Sequence, residues 1–286
     1  MPITAADLAA GAVAMVGESR FVIEHQAVFV NTVDKRTMGQ GEKSLYLPKY
    51  GTVTSEALTD GIDMTNAQAV TISGSTFTTA EAGCKVIITK KLKLQLKADA
   101  FRSMGKIIGN AMQKKIDQDG LALYSGLDSG MSNANSSINL NYLSAAITQC
   151  IGQSEPAPQP MAAVAHPYLW HPIINALANP ATGFASMPPG FQESVLKQHF
   201  MGLDRLYGVP IFRDANASID TDNDSYGAVY SKMAFIYITG YEIENWVVYD
   251  DSLRGWEIGI VHDYAMVEND GTYGRYLLFD ATAPVS

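Results

Sequence analysis

Residues 52–80 set the hardest constraint on what this chain can become. From Thr52-Val-Thr-Ser-Glu56 through Thr59-Asp-Gly-Ile-Asp63 to Thr71-Ile-Ser-Gly-Ser-Thr-Phe-Thr-Thr79 they are mostly Thr, Ser, Gly, Ala and Asn. Such a stretch is too poor in large apolar side chains to build its own core. Thr and Val nevertheless favour extended backbone, so it reads as a long two-stranded excursion from a folded body. An isolated hairpin of this kind is marginal in water. It needs a partner surface.

The rest of the chain can supply a body. Of 286 residues, 47% are apolar and 17% charged, which suits one large domain or two intimate ones and excludes a disordered chain. Residues 1–20 read as an amphipathic helical arm capped by Thr4, with Asp7 three positions on. Phe21–Val33 alternates loosely and suggests an extended segment, and Ser44–Pro48 a short strand. Lys85–Lys97 alternates Lys91, Lys93, Gln95 and Lys97 against Leu92, Leu94 and Leu96, the pattern of a half-buried strand. The strongest helix spans about 98–124, where Phe101, Met104, Ile108, Met112 and Ile116 recur at helical spacing. Gly105 and Gly109 inside it cost helix propensity, so a second backbone is expected to cross there. A Ser/Gly/Asn loop (126–141) leads to a short helix at 142–152. A Pro-rich connector follows, then a buried strand at 161–165 and a helix from His166 to about Ala178. A strand at 207–212 and a polar loop at 213–227 come next. Strands dominate thereafter, and Glu268-Asn-Asp-Gly-Thr272 has the Asp-Gly signature of a hairpin. This order gives an α+β protein without regular βαβ repeats.

Composition and motifs exclude several functions. The net charge of −9 argues against general binding to nucleic acid or to an anionic membrane. Leu8–Gly17, the longest apolar run, is too short to cross a bilayer, and no basic residue precedes it as in a signal peptide. Cys84 and Cys150 stand apart without metal or disulfide spacing. His166 and His171 are five apart, off one helix face, and each precedes a proline, so both read as structural. Asp220, Asp222 and Asp224 alternate as in a calcium loop, but Ser225 and Ser231 stand where that loop needs Gly and Glu. A solvated acidic loop is the better reading, with weak metal binding as the alternative. Gly126-Leu-Asp-Ser-Gly130 is not a nucleophile elbow, and no phosphate-binding glycine loop exists. No catalytic site and no cofactor are expected.

One charge pattern stands out. Residues 85–115 hold nine basic residues against Asp99, a balance of +8 that leaves −17 on the remainder. Two readings remain open: solvated strand and helix faces, or a surface built for acidic neighbours through Lys91, Lys93, Lys97, Arg102 and Lys106.

Five stretches in this order carry a resemblance: Gly41-Glu-Lys-Ser-Leu-Tyr-Leu-Pro48, Ala57-Leu-Thr-Asp-Gly-Ile-Asp63, Lys115-Ile-Asp-Gln-Asp-Gly-Leu-Ala-Leu123 after the basic strand and long helix, Ala163-Val-Ala-His-Pro-Tyr-Leu-Trp170, and Tyr207-Gly-Val-Pro-Ile-Phe212. From about residue 20 to the C-terminus the chain resembles the major capsid (coat) proteins of tailed bacteriophages, with the Hong Kong 97-type fold. The resemblance implies an N-terminal arm (1–48), an extended loop, the E-loop, with its base strands (49–97), and a peripheral domain with a spine helix (98–155). It further implies an axial domain (156–240) and strands returning to the body (241–286).

The implied function is self-assembly into hexamers and pentamers of an icosahedral head that encloses double-stranded DNA without reading its sequence. The expected location is the virion, assembled in the host cytoplasm and not on a membrane. The alternatives are an encapsulin-type nanocompartment shell and, in another class, a soluble metal-dependent hydrolase. Subunit contacts are expected at the loop tip (Asp60, Gly61, Ile62, Asp63, Met64) and on the basic segment. With no long segment before the arm, the resemblance implies either a prodomain removed before Met1 or a separate scaffolding protein, the start at Met1 favouring the latter, beside a portal and decoration proteins. Some relatives cross-link their shells through an E-loop lysine. Gly51–Cys84 contains no lysine, so a shell without covalent cross-links is expected.

Overall fold

A computed structural model describes residues 28–63, 67–91, 99–178 and 205–284, with backbone alone at 99–104 and 177–178. The expected helical arm, the Lys93 and Lys97 alternation, Met64, the side chain of Arg102 and the segment 179–201 lie outside what is described.

The first element differs from expectation. Val28–Thr32 is a short helix, α1, not an extended segment. Phe29, Thr32 and Val33 are buried while Asn31 is exposed, so the face that matters has helical period. The alternation of Val28 and Val30 was a weaker signal than the ring that Phe29 places in the core. Strand β1 (Asp34–Thr37) follows, then β2 (Leu45–Tyr50), β3 (Ile72–Phe77) and β4 (Ala80–Thr89). The expected strand over 85–97 therefore ends at Thr89, and Lys90 and Lys91 are already helical.

The long helix α2 runs Asp99–Ala122 and tightens into a 3-10 turn at Leu123–Gly126. Its stripe of Ile108, Met112 and Ile116 packs on Ile88, Ile258, Ile260 and Tyr264. The last three belong to β11 (Gly255–Glu268), which pairs antiparallel with β10 (Phe235–Asp250) and β4 in a sheet ordered β1-β10-β11-β4. Strand β10 is continuous through Gly240, with register shifts at Tyr241 and Glu244.

A second sheet, ordered β5-β12-β9-β6-β8-β7, forms the other half of the body. Its strands are β5 (Gly130–Ser132), β6 (Met161–Ala165), β7 (Arg205–Leu206), β8 (Val209–Arg213), β9 (Asp224–Ser231) and β12 (Gly274–Asp280). Helices α3 (Leu140–Gly152), capped by the Asn139 side chain, and α4 (Pro167–Ala178) cover it. Leu143, Ile147, Trp170, Val229, Leu277 and Phe279 share that core.

The expected hairpin at 268–272 is absent. Strand β11 stays with β10, β12 pairs with β9, and Gly271–Tyr273 is a 3-10 turn that carries the chain from one sheet to the other. A cluster of Phe29, Tyr124, Tyr230 and Phe235 sits between α1, the end of α2 and both sheets, with ring centroids 5.1–6.3 Å apart. Gly105 and Gly109 are buried. A tight approach on α2 is defined at Gly120, where a Cβ would stand 2.3 Å from the Phe29 ring.

Candidate assembly surface

Strands β2 and β3 pair from Leu45↔Phe77 to Tyr50↔Ile72. Alternation gives the ribbon two unlike faces. Leu45, Leu47 and Phe77 pack inward on Met38, Ile236 and Ile238. Tyr46, Tyr50 and Ile72 point the other way and are 54%, 64% and 62% exposed. Gly74 leaves room for the Tyr46 ring across the strands, since a Cβ there would lie 2.6 Å from it.

Beyond Tyr50 the chain runs out and back without a ladder. Gly51 donates to the Thr71 carbonyl, and the Gln68 side chain bonds both the amide and the carbonyl of Thr54, closing the ribbon with a side-chain amide in place of a strand pair. A turn at Thr59–Ile62 places Gly61 at φ 78°, in the left-handed region that glycine adopts without strain. Every described residue from 51 to 72 is exposed, including Val53, Leu58, Ile62 and Val70. Asp60, Gly61, Ile62 and Asp63 are therefore together at the outer turn, and Met64 lies outside the described residues.

The root of the ribbon is held by charge. Lys49 Nζ lies 2.5 Å from Asp270 and 3.1 Å from Glu155, and 5.7 Å above the Tyr273 ring. The Asp270 carboxylate, with its side chain only 8% exposed, also accepts from the amide and hydroxyl of Thr272. These donors pull its pKa below the usual carboxylate value against the cost of burial, and the two carboxylates hold the Lys49 ammonium charged. Both partners of Lys49 are remote in sequence, so no local pattern marks this lysine.

The basic segment divides. Lys85 pairs with Glu257 at 2.8 Å and Lys115 with Asp119 at 2.5 Å, both within the chain. Lys91 and Lys106 are exposed, as Lys85 is, and Lys106 too has an interaction within the chain. The structure thus brings Lys85 and Lys115 to internal partners, while Lys93, Lys97 and the Arg102 side chain lie outside the described residues.

The other candidates do not converge. Asp220 Oδ1 accepts from the amides of Asp222 and Asp224, and the buried Asp224 carboxylate accepts from the Asn135 amide. These carboxylates tie a turn together. His166 Nδ1 accepts from the Tyr168 amide, and His171 faces Asn175. Among the described residues no group of three His, Cys, Asp or Glu is placed to hold a metal ion. No described helix is long and apolar enough to cross a membrane.

No family model and no curated protein matches the chain. Solved structures do. A chain of Mycobacterium phage Che8 superposes with a TM-score of 0.67 at 13% identity, over 91% of this chain and 93% of that one. The bacteriophage PhiM1 mature capsid gives 0.65 at 11% identity, over 91% and 89%. The virus-like particle from Pyrococcus furiosus gives 0.59 at 11% identity, over 92% and 97%. The fold is the α+β Hong Kong 97-type fold of phage capsid proteins.

Proposed function

We propose that the chain is a shell-forming structural protein, the major capsid protein of a tailed bacteriophage. Copies associate as hexamers and pentamers into an icosahedral head that encloses double-stranded DNA. The observation that carries the reading is the ribbon from Tyr46 to Ile72. Seven large apolar side chains on it are uncovered by the subunit. So much apolar surface on one projection is a mark of a protein–protein contact. The inward face of β2 and β3 and the Lys49 contacts fix where it leaves the body, and Asp60–Met64 at its tip reach a neighbouring subunit. The exposed lysines Lys91 and Lys106, with Lys93, Lys97 and Arg102, meet acidic surface on adjoining copies. Residues 1–48 act as the arm, 49–97 as the E-loop and its base, 98–155 as the peripheral domain, 156–240 as the axial domain, and 241–286 as returning strands. A separate scaffolding protein, a portal and decoration proteins complete the head, which is assembled in the host cytoplasm.

The test is electron microscopy of the purified full-length chain and of a variant lacking Asp60–Ser75. Closed shells from the first and folded, unassembled subunits from the second are expected. Normal shells from the deletion would refute the role given to the ribbon. The likeness to the Pyrococcus virus-like particle supports a second reading, a nanocompartment shell. Particles from the source that contain protein cargo and no DNA would decide for it.

A further inference from the structure

Two carboxylates that shell contacts do not use lie in the interior, where α1, α2 and the loop after β8 meet. Asp117 is 1% exposed and Asp214 3% exposed. Asn216 holds both. Its backbone amide donates to Asp214 Oδ1 at 2.9 Å, and its side-chain amide donates to Asp117 Oδ2 at 3.2 Å. The remaining oxygen of each, Asp117 Oδ1 and Asp214 Oδ2, is buried without a hydrogen-bond partner.

Among the described residues no lysine or arginine forms an ion pair with either. The titratable groups that face the pair are His166 at the β6–α4 step, Tyr124 after α2 and Tyr230 on β9. Burial lowers the pKa of His166 and raises those of both tyrosines, so all three are neutral near pH 7. Two full negative charges here would be desolvated and mutually repelled, offset only in part by the Asn216 groups on both and by the Phe29 amide and Gln113 side chain at Asp117, with no described cation paired to either. A buried unsatisfied oxygen in a native interior calls for an explanation, and here there are two, one on each carboxylate.

We propose that Asp117 and Asp214 hold one proton between them at neutral pH, one as the acid and the other as the carboxylate, and that this proton keeps α1 and the 214–217 loop seated on α2. One proton neutralises one of the two carboxylates that Asn216 bridges, and it removes the repulsion. The pKa directions agree: burial first and Asp214 second raise Asp117 to about 7, and burial raises Asp214. The two titrate as a unit. A surface pocket lined by Gln118, Leu121, Asn216, Ser218 and Tyr226 reaches the bridging asparagine and gives water a route for the proton.

The sign of the effect follows. Unfolded, an aspartate releases its proton near 3.8, whereas the folded pair retains one until about 7. The folded state is therefore the better proton binder in that window, and stability falls as pH rises through it. The unfolding constant grows about 10-fold per pH unit and levels above about pH 7.

The experiment is urea unfolding of the full-length chain from pH 5 to 9, wild type beside Asp117→Asn, whose amide is neutral throughout. Titrating groups outside the pair cancel in the ratio of the two unfolding constants. That ratio should climb about 50-fold between pH 5 and 7 and level near ~100-fold above pH 8. Protection factors of the amides at 28–33 and 214–218, which remove the base-catalysed rise common to all amides, should fall between pH 5 and 7 in the wild type alone. Infrared spectra at pH 6 should show a protonated-carboxyl stretch that Asp117→Asn or pH 9 abolishes. A flat ratio, or no such band, overturns the proposal. Should Asp117→Asn fail to fold, Asp214→Asn serves in its place, and should both fail, the wild-type infrared titration decides alone. Magnesium or calcium that stabilises only the wild type at pH 8 would show that a metal cation neutralises the pair, which also overturns it. None of these readouts depends on shells forming.

Discussion

Replacing Gly120 with alanine sets two opposed effects against each other at one atom. Gly120 lies in the last turns of α2 and is not among the glycines at positive φ. Its backbone would therefore accept any residue, and in an unobstructed helix alanine would stabilise by about 1 kcal/mol. The added Cβ, however, would meet three atoms of the Phe29 ring at 2.3, 2.5 and 2.7 Å. These are distances no Cβ contact sustains. The ring cannot swing clear. Phe29 is fully buried, and Tyr124, Tyr230 and Phe235 close around it with centroids 5.7–6.3 Å away. Forcing a methyl into a packed core costs roughly 1–3 kcal/mol, and three contacts this short place Gly120 in the upper part of that range, about 2–3 kcal/mol, so after the propensity gain a net loss of about 1–2 kcal/mol is expected.

At roughly 2–4 °C per kcal/mol for chains of this order of length, Gly120→Ala should melt about 2–8 °C below the wild type. The assay is calorimetry of full-length chains matched in assembly state by size exclusion. A double-mutant cycle with Phe29→Leu assigns the cause. Without the ring, alanine at 120 should be neutral or stabilising, which gives a coupling energy of at least about 1 kcal/mol. Gly120→Ala at or above wild-type stability, or additive single variants, would refute the reasoning that α1 crosses α2 at this glycine.

Three further outcomes are expected. His262 is 2% exposed, held by Tyr237 Oη at 2.5 Å and the Tyr241 carbonyl at 3.0 Å, and burial lowers its pKa. It is neutral in the fold, and its contribution is complete above pH 6.5, the ordinary value, and lost as pH falls toward the lowered one. Stability of the wild type relative to His262→Gln should therefore drop on acidification from pH 7 to 5 in urea titrations, and a constant difference would contradict the assignment. Reversing Lys91 and Lys93 to glutamate should lower shell yield, with partial rescue by salt, because screening acts over ~8 Å at physiological ionic strength; unchanged yield would leave these lysines as solvated faces. Mature particles boiled in detergent under reducing conditions should run as one band near the 30.9 kDa chain, since Gly51–Cys84 lacks lysine and Lys49 is engaged at the loop root; a ladder would show cross-links.

The parts legible in the sequence are those whose signal is local. The stripe of Ile108, Met112 and Ile116 announced α2 because all three meet one sheet. The apolar run 161–165 announced β6 because both its faces are buried. The outward ribbon was legible from what it lacks. Lys49 was not, because Asp270 lies 221 residues away and only the approach of the two sheets brings it under the ribbon. Asn216 and Asp117, 99 residues apart, were hidden for the same reason.

The misread turn at 268–272 shows why turn chemistry alone cannot choose a partner strand. The Asp270 side chain accepts from the Thr272 amide, a local bond that would serve a hairpin equally well. What decides is where the flanking side chains are buried. Ile258, Ile260 and Tyr264 of β11 are needed against α2, while Leu277 and Phe279 of β12 belong to the core beneath α3 and α4. A hairpin would put both sets into one sheet and leave one core without its wall. The chain passes between sheets instead, with Gly271 wedged where a Cβ would stand 2.4 Å from Glu268. That passage carries the Asp270 carboxylate to the root of the ribbon. There it anchors Lys49, so the link between the two halves of the body is also what fixes the root of the projecting ribbon.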